Sequence, residues 1–186
     1  NLVASMMNEG TKNKTPEQLE EAIGLLGASI RVYSGNEDIT IEVATLAKNF
    51  EKTIALVEEM LLEPRWDEEQ FSIVKSRIIN NLKRNQASPD YLASTTLNKL
   101  LFGEGNILAV ETSGTEQSVS SITINDLKTF YDTYFSPSVA TLLIAGDVDK
   151  EKTEAAFSDL SQKWQAKNVI FPEVISPVSP EKSAIY

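Results

Sequence analysis

Acid–base and metal chemistry need side chains that exchange protons or donate lone pairs, and this sequence offers few of them. Its 186 residues include no histidine and no cysteine. The commonest general base near neutral pH, the commonest metal ligand and all thiol chemistry are therefore missing. Serine–histidine triads, histidine-based zinc sites, disulfides and iron–sulfur centres are excluded within this chain. Carboxylates remain, at Glu20/Glu21, Glu58/Glu59 and Glu68/Glu69. On a helix such neighbours diverge by about 100°, so each pair reads as a solvated face and not as a shared proton or metal site. Gly103-Glu104-Gly105 and Gly114-Thr115 lack a following Lys-Ser/Thr and read as turns, not phosphate loops. Tyr131/Tyr134 and Phe130/Phe135 are spaced as core residues.

Asn81 is the polar residue that stands out. It follows the apolar row Phe71, Val74 and Ile78 on a predicted helix, which places it at the edge of a buried stripe. An amide there is expected to be hydrogen-bonded and to hold no metal. The densest basic stretch, Lys75, Arg77, Lys83 and Arg84, is spread around the same helix between Ile78, Ile79 and Leu82. It reads as a solvated side. With 17 basic against 27 acidic residues, a net charge of −10 repels phosphate backbones, and no nucleic-acid partner is expected. The longest apolar run, Ala140–Ala145, is strand-sized, so no membrane span is expected.

The elements that must position these groups are well marked. Thr15-Pro16-Glu17-Gln18 is a capping box with Pro at the first helical position, and Gly27 is placed to end that helix. Asp67, Ser88, Thr123 and Asp149 cap further helices, the last running through Ala156, Phe157, Leu160 and Trp164. Phe50, Ile54, Val57 and Leu61 make another amphipathic stripe, and Tyr91, Leu92, Leu97, Leu100 and Leu101 give the helix after Ser88 its apolar positions. Ser29–Ser34 and Ile39–Thr45 alternate about a Gly35-Asn36-Glu37-Asp38 loop, a hairpin. Val139–Ala145 reads as a central strand buried on both faces. The sum is an α+β class, with helices packed on one face of a mostly antiparallel sheet. Three strands make a thin sheet, so further strands are expected before Asn1 or after Tyr186. Residues 1–166 are taken as one domain. Pro172, Pro177 and Pro180 mark 167–186 as a linker and the start of a further subdomain.

Several segments, in this order, carry a specific resemblance. They are Glu9-Gly10-Thr11-Lys12, Thr15-Pro16-Glu17-Gln18-Leu19, Leu26-Gly27-Ala28-Ser29 and Leu61-Leu62-Glu63-Pro64-Arg65. Gly114-Thr115-Glu116-Gln117-Ser118-Val119, Ile122-Thr123-Ile124-Asn125-Asp126-Leu127, Phe130-Tyr131, Ser136-Pro137 and Ile144-Ala145-Gly146-Asp147-Val148 follow. Together they resemble the M16 (insulinase/pitrilysin, inverzincin) zinc metallopeptidases and mitochondrial processing peptidase-like proteins. The resemblance runs from Asn1 to about Trp164 and implies the LuxS/MPP-like metallohydrolase fold, truncated at both ends.

Catalytic members of that family carry H-x-x-E-H on the helix before the Gly-Thr pair, with two zinc ligands and a base, and a third ligand on a later helix. Registered on Gly10-Thr11, these positions fall at Asn1, Ala4, Ser5 and Asn81 (Asn80 with a one-residue slip). No member of that set suits zinc or a base. The resemblance thus implies a segment with no catalytic residue, no metal and no cofactor of its own, beside a zinc-bearing partner half in the same chain or another. The family's G-G-x-x-N-A edge strand, which pairs with peptide substrate, matches Gly27-Ala28-Ser29-Ile30-Arg31-Val32, with Arg31 and Val32 in place of Asn-Ala. Substrate-binding residues stay open. The implied function is the inactive half that completes the substrate chamber of a zinc metalloendopeptidase acting on peptides. The alternative is a structural or assembly subunit resembling respiratory-complex core proteins, without proteolysis. The compartment stays open between bacterial periplasm and cytoplasm.

Overall fold

The computed structural model describes residues 1–171. The chain runs α1 (Leu2–Met7), α2 (Pro16–Leu25), β1 (Ser29–Ser34), β2 (Ile39–Ala44), α3 (Phe50–Leu62), α4 (Glu68–Asn85), α5 (Pro89–Phe102), α6 (Glu116–Ser121), α7 (Ile124–Tyr134), α8 (Lys150–Ala156) and α9 (Ser158–Lys163).

Helix starts follow the local chemistry. The Thr15 side chain accepts from the Gln18 amide while the Gln18 side chain accepts from the Thr15 amide, so two orphan donors of α2 are satisfied at once. Thr123 and Asp126 repeat the reciprocal pair at α7, while Asp67, Ser88 and Asp149 cap α4, α5 and α8 by accepting a single backbone N–H. Gly27 follows α2 with a φ of 57°, a turn that a side chain would strain.

The two strands pair antiparallel from Ser29↔Ala44 to Ser34↔Ile39. Ile30 and Val32 point into the core while Arg31 and Tyr33 point out. On the inner face lie α1 and α2. All of α1 except Ser5 is buried. Its Met6 and Met7 join Leu19 of α2, Val57 and Met60 of α3, Phe71 and Val74 of α4 and Leu127 of α7 in one apolar cluster. The architecture is therefore helix-dominated α+β with a small antiparallel sheet.

Three expectations are corrected. Residues 140–145 form no strand, and Leu142 and Leu143 are exposed. A strand is held by the N–H and C=O groups of a neighbour, and among the described residues the sheet is β1–β2 alone. The helix capped by Asp149 breaks at Phe157 (φ −98°, ψ 3°) into α8 and α9. The leucines of α5 reach no core; no residue of that helix is buried. One short helix, α6, follows the Gly114-Thr115 turn without having been anticipated; its Thr115 cap bonds Ser118 reciprocally. Of the expected linker, residues 167–171 lie within the described part. Lys167 is anchored there, its amide donating to Ser136 Oγ (2.8 Å) and its carbonyl accepting from Ser138 Oγ (2.7 Å). The proline-containing remainder lies outside the described residues.

Candidate functional site

Helix α1 and the turn after it carry the candidate positions. Asn1 precedes the helix, and Ser5 Oγ donates to its Oδ1 (3.3 Å) across one turn. Asn1 Nδ2 reaches Ser113 Oγ at 3.4 Å. Between them Ala4 is 2% exposed, its methyl packed in the core. Asn81 is exposed on α4, and its Oδ1 accepts from Arg84 three residues on. It therefore stands at the outer edge of its stripe, bonded to a side chain. One turn earlier on α4, Arg77 pairs with Glu9 at 2.9 Å and ties that helix to the end of α1.

Two neutral amides, a hydroxyl and a methyl occupy the four positions, and the amide and hydroxyl groups are engaged with protein partners. That donor set does not fit zinc, which takes imidazole, thiolate or carboxylate ligands. Nor can a methyl accept a proton from water. Among the described residues no group of three His, Cys, Asp or Glu side chains is placed to hold a metal.

The scaffold around these positions is tightly built. Gly10 turns with a φ of 103°, and a Cβ there would stand 2.6 Å from the Lys14 carbonyl oxygen. Thr11, fully buried, donates to the Lys14 carbonyl through its amide (2.9 Å) and to Glu59 Oε1 through Oγ1 (2.5 Å). Lys14 Nζ meets Glu59 Oε2 at 2.5 Å, and Asn13 Nδ2 donates to Glu63 at 2.8 Å. The Lys12 amide donates to the Glu63 carbonyl (2.7 Å). Partial burial raises the Glu59 pKa, but the hydrogen bonds and charge of Lys14 and Thr11 outweigh it and hold this carboxyl below its ordinary value. The Gly10–Lys14 turn is thus clamped onto the end of α3.

Glu58 and Glu59 diverge around α3 as their spacing predicts, but neither is simply solvated, since each has a structural partner. Glu58 binds Lys163 of α9 at 2.6 Å. The basic stretch is likewise engaged. Lys75 donates to the Ser120 and Ile122 carbonyls, and Lys83 pairs with Glu116 at 3.0 Å. These are charges tying α4 to its neighbours, not a free basic face. Sequence spacing could not show this, because the partners lie dozens of residues away.

One residue was missed altogether. Asn8, at the C-terminal cap of α1, donates from Nδ2 to the carbonyls of Ala4 and Val32, both at 2.8 Å. Its Oδ1 accepts from the Val32 amide at 3.0 Å. Beside it a groove of about 460 Å³ runs between α2 and β1, lined by Leu19, Ile23, Ile30 and Met60 among others.

Residues 1–108 match the family model described as Insulinase (Peptidase family M16), more than half of the chain. The chain belongs to the M16 peptidase family. Residues 121–185 match a second model of that family, described as Peptidase M16 inactive domain. Among curated proteins, the non-peptidase homolog YmxG of Helicobacter pylori is 27% identical over 152 residues, covering 82% of this chain and 35% of that protein. Human cytochrome b-c1 complex subunit 1, mitochondrial, is 24% identical over 155 residues, covering 83% of this chain and 31% of that one. The crystal structure of a peptidase M16 inactive domain from Pseudomonas fluorescens superposes with a TM-score of 0.84 at 21% identity. It covers 96% of this chain and 43% of that one, so the M16 fold is shared. The chain spans about a third of the length of these curated relatives.

Proposed function

We propose that this chain is the inactive half of an M16 peptidase, closing the substrate chamber of a zinc-bearing half with which it pairs. The observation that carries the reading is the contrast within one short segment. The Gly10–Lys14 turn is held by Thr11, Asn13, Glu59 and Glu63, so the scaffold is intact. The positions aligned with the zinc ligands and base hold Asn1, Ala4, Ser5 and Asn81, which can do neither task. A domain that keeps the frame and loses every chemical group suits a supporting role. Zinc belongs on this reading to the partner half, and this half holds none.

Members of this family pair a catalytic half with an inactive one, in one chain or in two. Closing two halves around an extended peptide excludes water and holds the backbone in place, which zinc-assisted hydrolysis requires. A net charge of −10 would draw basic peptides toward such a chamber and make capture salt-sensitive. Residues 1–166 form the supporting unit on this reading, and 167–186 lead toward a further subdomain.

The test is peptide hydrolysis by the zinc-bearing half with and without this chain. Loss of activity, or changed peptide selectivity, without it is expected. Full activity and unchanged selectivity of the zinc-bearing half alone would instead favour a second reading, an assembly subunit without proteolysis. The similarity to a cytochrome b-c1 complex subunit supports that alternative.

A further inference from the structure

In an antiparallel pair, successive residues turn their N–H and C=O groups alternately toward the partner strand and away from it. The Gly35 amide donates to the Asp38 carbonyl across the hairpin turn (2.9 Å). Gly35, Tyr33 and Arg31 therefore face β2, and Ser34, Val32 and Ile30 present their backbone groups on the outer edge. The middle one of these three is occupied. Val32 gives its N–H to Asn8 Oδ1 and takes a hydrogen from Asn8 Nδ2. The second amide hydrogen of Asn8 is held by the Ala4 carbonyl (2.8 Å), which fixes the group's orientation from the end of α1.

We propose that Asn8 closes the outer edge of β1 against an extended peptide, standing in for a paired strand with a single side chain. A carboxamide carries the same donor and acceptor as a peptide unit, so it completes the backbone pair at Val32. An added strand needs consecutive outward residues, spaced about 6.6 Å apart. With Val32 taken, a peptide can engage Ile30 or Ser34 but cannot bridge them without displacing Asn8 and breaking its three hydrogen bonds. The adjoining groove has room and apolar lining at Leu19, Ile23 and Met60. At the Ser29–Arg31 end of the strand there is therefore open space, and at Val32 the Asn8 amide holds the edge. Unpaired sheet edges invite other strands, and this edge is closed by the chain itself. The inference stands on hydrogen-bond geometry and is independent of whether this chain lines a chamber.

Backbone NMR of the chain, with amide hydrogen exchange and titration by a blocked, uncharged hexapeptide of alternating Val and Thr, tests it. In the native chain the Val32 amide is protected and the peptide moves no resonance. In Asn8→Ala, Val32 exchange rises at least about tenfold, the protection of Arg31 and Tyr33 is kept, and the peptide shifts Ile30, Val32 and Ser34. Asn8→Asp, whose carboxylate would stand against the Ala4 and Val32 carbonyls where Nδ2 now donates, should likewise admit the peptide and supplies a second folded comparison; a folded Asn8→Asp that binds no peptide counts against the proposal. The proposal is overturned by an unprotected Val32 amide in the native chain, or by peptide binding at Val32 as tight in the native chain as in Asn8→Ala. A folded Asn8→Ala that loses protection yet binds no peptide overturns it too.

Discussion

Replacing Glu59 by Gln tests whether the turn after α1 is held in the way its geometry indicates. Glu59 receives two hydrogens, from Thr11 Oγ1 and from Lys14 Nζ, each at 2.5 Å. Hydrogen bonds to a charged group contribute about 1.5–3 kcal/mol when sheltered. The Lys14 and Glu59 side chains remain 29% and 18% exposed, so screening reduces the ion-pair part to at most about 1 kcal/mol. Gln keeps an acceptor for the buried Thr11 hydroxyl and loses the charge. Glu59→Gln is therefore expected to cost about 1 kcal/mol, and Glu59→Ala about 2 kcal/mol, because the buried Thr11 donor is then left unpaired. Urea unfolding at pH 7, followed by far-UV circular dichroism, reads both. Acid adds an independent check. The folded pKa of Glu59 lies below its ordinary value of 4.5, so its stabilisation is full above that value and is lost as the pH falls through the folded pKa. The gap between the native chain and Glu59→Gln should be complete at pH 7, narrow below about pH 4.5 and vanish in stronger acid. Equal stability at pH 7, or a gap that persists in acid, would refute the clamp.

Ala4→Glu, which forces a carboxyl into a site that is 2% exposed, should destabilise by at least about 2 kcal/mol; denaturant midpoints measure it. Gly10→Ala should cost about 1–3 kcal/mol, because a Cβ would stand 2.6 Å from the Lys14 carbonyl at a φ of 103°, and a thermal melt will show it. Met60→Ala, at 1% exposure between α3 and the core, should cost about 2–5 kcal/mol by the same measurement. Elemental analysis of the dialysed chain should find no stoichiometric zinc; one tightly held ion per chain would contradict the assignment of Asn1, Ala4, Ser5 and Asn81.

What the sequence by itself determined is what is settled within a few residues. A Thr, Ser or Asp whose side chain accepts the amide three positions later fixes a helix start from local sequence, and so α2, α4, α5, α7 and α8 begin at their anticipated caps, reciprocally at α2 and α7. The hairpin β1–β2 was equally legible, because alternation and a polar four-residue loop are local signals. The lack of chemical groups at Asn1, Ala4 and Ser5 is a matter of residue identity and needed no coordinates. Tertiary structure alone decided which side chains meet. Glu59 reads as one of two adjacent acids until folding carries Thr11 and Lys14 to it from more than forty residues away. Asn8 carries no signal in the sequence, and only the approach of β1 makes it the cap of a strand. Residues 140–145 have strand composition, yet a strand exists only where a neighbour supplies the matching N–H and C=O groups, and composition carries no information about that neighbour.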